Sequence, residues 1–186
     1  MIFGVTGYYG SGKDEFAKFL ESEGFKHLSL SDEIRKELKK KKKRGTRKNL
    51  IDMGNELRRK YSSSELANRV LKKVKDNKDY VLTSIRNKEE VLKFKERKDF
   101  VLVNVIAPVE TRFDRLVQRG RKGDPITFEE FIQKERLEQS EVSTDQQLHI
   151  VTGMADIVVN NNKDLDLFHM KIDRMLADWY PKFNQQ

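Results

Sequence analysis

The stretch Gly4–Asp14, GVTGYYGSGKD, decides how the rest of the chain is read. Gly7, Gly12 and Lys13 complete the pattern G-x-x-x-x-G-K. In such a loop, backbone N–H groups close around phosphate oxygens and the lysine reaches the outer phosphates. Ahead of it, Met1–Thr6 is apolar and β-prone and stops at Gly7, which suits a strand buried on both faces. Behind it, Phe16, Phe19 and Leu20 share one helical face as far as Gly24. The order strand, glycine loop, helix points the positive end of the helix dipole at the loop. This predicts that Gly7, Tyr8, Tyr9, Gly10, Ser11, Gly12, Lys13 and Asp14 contact a nucleotide. Gly7 permits the sharp exit from the strand, and Gly12 keeps a Cβ out of the phosphate seat.

Asp14 stands where a Ser or Thr hydroxyl normally sits on Mg²⁺. A carboxylate also binds Mg²⁺, directly or through one water. Asp14 therefore reads as an altered metal ligand. Its other reading is helix-start chemistry, since a negative charge suits the first turn.

The rest of the chain repeats the alternation. FKHLSL (25–30), DYVLTSI (79–85), DFVLVNVIA (99–107) and ADIVVNN (155–161) read as strands. Helical spacing lies between them: Ile34 and Leu38 after an N-cap at Ser31 or Asp32, then Leu50, Met53, Leu57 and Tyr61. SSSE (62–65) reads as a capping box before Leu66, Val70 and Val74. Further helices cover 89–96 and 110–118, one opens at TFEE (127–130), and a last one carries Leu165, Phe168, Ile172, Met175 and Trp179. Trp179 and Phe183 read as core or tail packing. Strands alternating with helices predict one three-layer α/β/α domain over 1–186, with five parallel strands between helical layers.

Composition narrows the function. The 186 residues suit one domain with small inserts, and 37% are charged. With no cysteine, disulfides and thiolate metal sites are excluded. No apolar run approaches the ~20 residues of a membrane span. The start MIFGVTG lacks a basic flank and a cleavage site. The expected setting is cytoplasmic, with no membrane partner. A net charge of +8 implies an anionic partner. Lys39–Lys48, KKKKKRGTRK, is basic at eight of ten positions. It reads as a solvated connection or as an arm facing phosphates or nucleic acid. Few aromatics lie near it, so stacking on bases has little support. His27, His149 and His169 show no metal-ligand spacing and read as surface or packing residues. Glu129 and Glu130 fit helix capping better than catalysis.

GYYGSGKD, LSDEIRKE, TSIRNKEEV, APVETRFDRLVQRGRKGDP and MADIVVNN together resemble the P-loop small-molecule kinases. The likeness is to adenylate-kinase-related and dephospho-CoA-kinase-like proteins, in particular an archaeal-type branch, from Gly4 to about Asn161. The resemblance implies the P-loop nucleoside triphosphate hydrolase fold in its nucleotide-kinase-like form, with an acceptor-binding insert near 31–77 and a lid near 119–127. It implies ATP and Mg²⁺ as cofactors and a small phosphorylated acceptor, with transfer to a hydroxyl as the rival. It assigns Arg35 and Arg86 to the acceptor, Asp32 to the acceptor side or a metal-bound water, and Arg119 and Arg121 to the lid. Arg112 and Arg115 fall to structure or nucleotide stacking. Such arginines suit the spread negative charge of a transferring phosphoryl group. Thr83 departs from the pattern, because relatives usually carry an acidic residue there. A third reading is a nucleotide-binding switch or RNA-binding accessory protein that uses the basic block.

Overall fold

The computed structural model describes residues 1–180, apart from 122, 137 and 140. Strands β1 (Ile2–Thr6), β2 (Lys26–Ser29), β3 (Tyr80–Thr83), β4 (Phe100–Ile106) and β5 (Ile157–Asn160) form one sheet in the order β2-β3-β1-β4-β5. Every pairing is parallel. β1 lies at the centre, with Ile2 in register with Tyr80 on one side and Phe100 on the other. All five residues of β1 are buried, as a near-continuous apolar run requires.

Alternate residues of β1 serve two cores, because side chains alternate across a sheet. Ile2 packs with Leu30, Ile34, Leu57, Leu66 and Phe94 on one face. Those residues belong to α2 (Leu30–Lys40), α3 (Arg47–Lys60), α4 (Glu65–Leu71) and α5 (Lys88–Lys95). Phe3 and Val5 pack with Phe16, Leu20, Phe168 and Ile172 on the other face. Those come from α1 (Lys13–Ser22) and α9 (Leu165–Trp179). Between them in the chain run α6 (Val109–Arg119), α7 (Phe128–Arg136) and α8 (Leu148–Gly153). The three-layer expectation holds. In a parallel sheet all strands end along one edge, and that edge is where ligand crevices form.

Several local expectations need correction. α2 begins at Leu30, so its N-cap is Ser29 rather than Ser31 or Asp32. Ser29 makes no side-chain cap; its hydroxyl bonds those of Ser31 and Ser84 instead. SSSE forms no capping box, and α4 stops before Val74. The capping box lies at Asn87 and Glu90, ahead of α5. α8 falls in a stretch for which no helix was expected. Trp179 is 43% exposed rather than packed in the core. Phe183 lies outside the described residues. Thr127 and Glu130 do brace the start of α7: Thr127 accepts from the Glu130 backbone, and the Glu130 carboxylate accepts from the Ile126 backbone. Among the described residues no helix is long and apolar enough to cross a membrane.

Candidate active site

The glycine loop leaves the end of β1 and enters α1 through backbone that only glycine adopts easily. Gly7 has φ 140° and Gly12 has φ 104°. A Cβ on Gly7 would lie 2.3 Å from the Val105 carbonyl oxygen, and one on Gly12 would lie 2.2 Å from Asn161 Nδ2. At Gly7 the clash is with backbone that cannot give way, at Gly12 it is with the Asn161 amide, and the positive φ strains any other residue at both. Asn161, just past β5, straps the loop by donating to the Ser11 carbonyl at 2.9 Å. Arg115 in turn holds Asn161, donating to its backbone oxygen at 2.9 Å and its side-chain oxygen at 3.2 Å. The Ser11 hydroxyl is buried and has no partner among the described residues.

Lys13 Nζ donates to the Tyr8 carbonyl at 2.7 Å. Enclosure of the ammonium lowers its pKa to about 8, and Arg86 and Arg47 push the same way while Glu138 and Asp14 oppose them. An ammonium held by one carbonyl among other cations is poised to take an anion.

The loop opens into a cavity of about 620 Å³ along the strand ends. Of the residues singled out in the sequence, Tyr9, Gly10, Gly12, Lys13, Asp14, Asp32, Arg35, Arg86, Arg119 and Arg121 line it. They come from four separated segments. Arg35 is folded onto its own helix, donating to Ser31 Oγ at 2.5 Å and Asp32 at 3.1 Å. Arg121 lies 3.8 Å from Asp14. Arg119 grips Asp124 at 2.6 and 2.9 Å, and the Tyr9 hydroxyl donates to the same carboxylate at 2.6 Å. Chiefly through Arg119, Asp124 is held down to about 2. Burial and the bond to Asp124 push Tyr9 up to about 12, so it remains a donor. Tyr8 contributes its carbonyl to Lys13 while its ring lies 5.4 Å from the Arg112 guanidinium. Arg112 is structural: it is buried, pairs with Glu135 and donates to the Tyr9 carbonyl at 3.0 Å. Lys122, within the expected lid, lies outside the described residues.

Sequence reading missed several residues of this cavity. Arg47 belongs to the basic block, but its guanidinium turns inward over the Tyr9 ring, 4.2 Å from the centroid. Thr46 caps α3 by accepting from Asn49, and this aims Arg47. The other basic residues of the block are exposed, so one part of it is solvated and another is built into the site. Glu138 lies in the cavity wall and pairs with both Arg47 and Arg86. His27, expected at the surface or in packing, lines the cavity and shares a 2.8 Å hydrogen bond with Thr83. Ser29, Ser31 and Ser84 add hydroxyls beside it, with Ser84 held at φ 66°. None of these carries a local signal; His27 is the second residue of β2 and reaches the cavity through its bond to Thr83.

Comparison with known proteins agrees with this geometry. A family model described as an AAA domain matches residues 4–139. A UPF0200 protein of Sulfurisphaera tokodaii is 30% identical over 175 residues, covering 94% of this chain and 95% of its own. One from Pyrobaculum aerophilum is 32% identical over 181 residues, covering 95% and 97%. Among solved structures, TT1252 from Thermus thermophilus superposes with a TM-score of 0.61 at 21% identity, covering 96% and 97%. Shikimate kinase from Aquifex aeolicus gives 0.55 at 16%, covering 96% and 97%. Dephospho-CoA kinase from Campylobacter jejuni gives 0.50 at 17%, covering 95% and 96%. These likenesses establish the P-loop kinase fold.

Proposed function

The chain belongs to the UPF0200 family and carries its P-loop domain, and from that premise we propose that it is an ATP-dependent phosphotransferase acting on a small phosphorylated acceptor, a nucleoside monophosphate. One observation carries the reading. Lys13 of the phosphate loop shares a single cavity with Arg86, Arg119 and Arg121, which arrive from two other segments. Phosphoryl transfer needs positioning and charge neutralisation above all, and this set provides both.

The loop fits a polyphosphate. Its turn depends on the positive φ of Gly7, Gly10 and Gly12, and it holds a buried hydroxyl on Ser11 without a partner among the described residues. Asp14 is 72% exposed in its side chain beside the cavity. Among the described residues no three acidic or histidine side chains converge as a metal cage. Mg²⁺ is commonly held by one or two carboxylates with phosphate oxygens and water, and the exposed Asp14 carboxylate beside the loop offers one. ATP would supply the phosphoryl group, and Mg²⁺ held at Asp14 would neutralise its charge. Lys13 would hold the outer phosphates, Arg35 and Arg86 the acceptor, and Asp32 the acceptor side. Arg119 and Arg121, in a lid near 119–127, would close over the transferring group and exclude water. The insert near 31–77 would bind the acceptor. The setting would be cytoplasmic.

A screen of nucleoside monophosphates, nucleosides and dephospho-CoA for ADP release, with Mg²⁺ and with Mn²⁺, tests this. A nucleoside monophosphate is expected to raise ADP release by about tenfold or more over the acceptor-free rate. The hydroxyls of Ser29, Ser31, Thr83 and Ser84 favour a second reading, transfer to an acceptor hydroxyl; stimulation by dephospho-CoA or a nucleoside alone would support it. Nucleic-acid binding through Lys39–Lys48, without acceptor-dependent turnover, would weaken steeply with salt.

Nucleotide affinity should also depend on pH. Lys13 loses its proton near pH 8 in the free protein, and a neutral amine neither attracts nor doubly compensates a phosphate. ADP binding measured by calorimetry is expected to weaken by up to about tenfold per pH unit above that point, with proton uptake on binding. Constant affinity from about pH 7 to pH 10 would show that Lys13 stays charged throughout.

A further inference from the structure

Glu138 is 2% exposed, yet its carboxylate faces three cations. Arg47 Nη2 and Arg86 Nη1 donate to the same oxygen, Oε1. Gln146 backs Arg86 with its own side-chain oxygen at 3.4 Å. Burial pushes the Glu138 carboxyl up, but Arg86, Arg47 and Lys13 outweigh that and hold it below the usual carboxylate range. It is therefore an ionised group in the wall of the cavity.

Its backbone is pinned. The Glu138 carbonyl accepts from Leu148 at 3.0 Å and its N–H donates to the Glu135 carbonyl at 3.0 Å. Gln139 next to it bridges antiparallel to Gln147, whose N–H donates to the Arg86 carbonyl at 2.7 Å. A short carboxylate on a fixed backbone is a post, and the longer arginine side chains come to it. Without it, two guanidiniums and the Lys13 ammonium would repel one another at close range. Arg47 also keeps its Nε buried without a partner among the described residues, so the pair retains donor capacity that Glu138 does not use.

The donors decide the ligand class. Lys13 is committed to the nucleotide phosphates, so Arg47 and Arg86 face the acceptor, and Glu138 Oε1 takes one N–H from each. The remaining guanidinium N–H groups outnumber what the two oxygens of a carboxylate need and suit the three terminal oxygens of a phosphate monoester. Resting on the reading of Arg86 as an acceptor-side residue, we propose that Glu138 is a positioning residue that locks Arg47 and Arg86 into one guanidinium pair for the dianionic phosphate of the acceptor, with Arg47 as a direct ligand of that phosphate.

The test uses inorganic phosphate and acetate as probes, with the phosphate loop first filled by ADP. The ¹⁵N–¹H signals of the arginine side chains report on the pair. In the native chain, phosphate is expected to shift Arg47 and Arg86 together and to bind about tenfold or more tightly than acetate. Glu138→Asp keeps the charge and withdraws the carboxylate by about 1.5 Å. It should weaken phosphate by about tenfold or more, since misplacement on this scale is costly. Tighter phosphate binding in that variant would mean that Glu138 merely occupies the anion seat. Unchanged binding would mean that it is only a background charge. Either result overturns the proposal. If Glu138→Asp does not fold, Glu138→Gln decides. Its amide oxygen still accepts from both guanidiniums while the charge is gone, so Arg47 and Arg86 should still shift together with phosphate. An Arg47 signal that phosphate leaves unmoved refutes it. Failure of ADP to bind at all refutes the kinase reading instead. The phosphate titration is then run without ADP and reads the arginine pair by the same signs.

Discussion

Lys13→Ala is expected to abolish the proposed nucleotide binding and to lower the proposed turnover by about a thousandfold, while the fold should stay as stable at neutral pH or become more so. The loss follows from the geometry. Lys13 is the loop's own positive side chain, and its Nζ lies on the Tyr8 carbonyl at the mouth of the phosphate seat. Removing a charge aimed at a transferring phosphoryl group typically costs about 10²–10³ in rate. The stability half is less intuitive. Lys13 titrates at about 8 in the folded chain, below its ordinary 10.5. A base with a depressed folded pKa binds its proton more tightly when unfolded, so at neutral pH its charge works against folding. That penalty is fully present below about pH 8 and fades as pH rises from there to about 10.5. Alanine removes it, offset by lost contacts of the lysine stem. Urea unfolding of both chains at about pH 7 and pH 10 checks the argument. The variant should gain relative to the native chain at the lower pH only. An unfolding midpoint that drops sharply at both values would show that Lys13 holds the loop together rather than serving a ligand.

The sequence revealed the fold because the fold rests on local patterns. Five apolar runs with turn residues after them, alternating with helical spacing, leave little choice but a covered parallel sheet. The phosphate loop was legible for a related reason. Gly7, Gly12 and Lys13 are fixed by backbone shape and reach, and both act within one strand–helix turn. The rest of the cavity depends on contacts distant in sequence. Arg47 and Glu138 are 91 positions apart. Within its own neighbourhood, Arg47 is one basic residue in a lysine-rich run and Glu138 one acid near the end of a helix. His27 gives no local signal because its partner Thr83 is 56 positions away. Caps were misplaced for a different reason. Serines at 29, 31, 62 and 64 all satisfy the cap pattern, and competition from neighbouring hydroxyls decides which side chain is free to cap.

Glu90→Ala should have the largest effect on stability. Glu90 is fully buried and Arg58 is 2% exposed. One Glu90 oxygen accepts from Arg58 at 2.9 and 2.7 Å. The other accepts from the backbone N–H of Arg86 at 3.0 Å and of Asn87 at 3.1 Å. Alanine strands a buried guanidinium and two backbone donors, so unfolding free energy should fall by about 3–5 kcal/mol. Chemical denaturation measures it, and a loss below about 1 kcal/mol would mean that water or a rearranged Arg58 side chain replaces the carboxylate. The same residue ties α3 to the turn that carries Arg86, which separates two roles. Replacing both partners with apolar residues, Arg58→Met with Glu90→Leu, removes the stranded charge and should restore the share of stability lost to it. It cannot restore the acceptor for the Arg86 and Asn87 N–H groups. The double variant should therefore be stable and still bind ADP, with Arg86 loosened from its turn and a raised KM for the acceptor. Stability recovered with the acceptor KM unchanged would confine the pair to the core. Stability recovered with a raised KM would show that this buried carboxylate is retained for where it holds the backbone of Arg86.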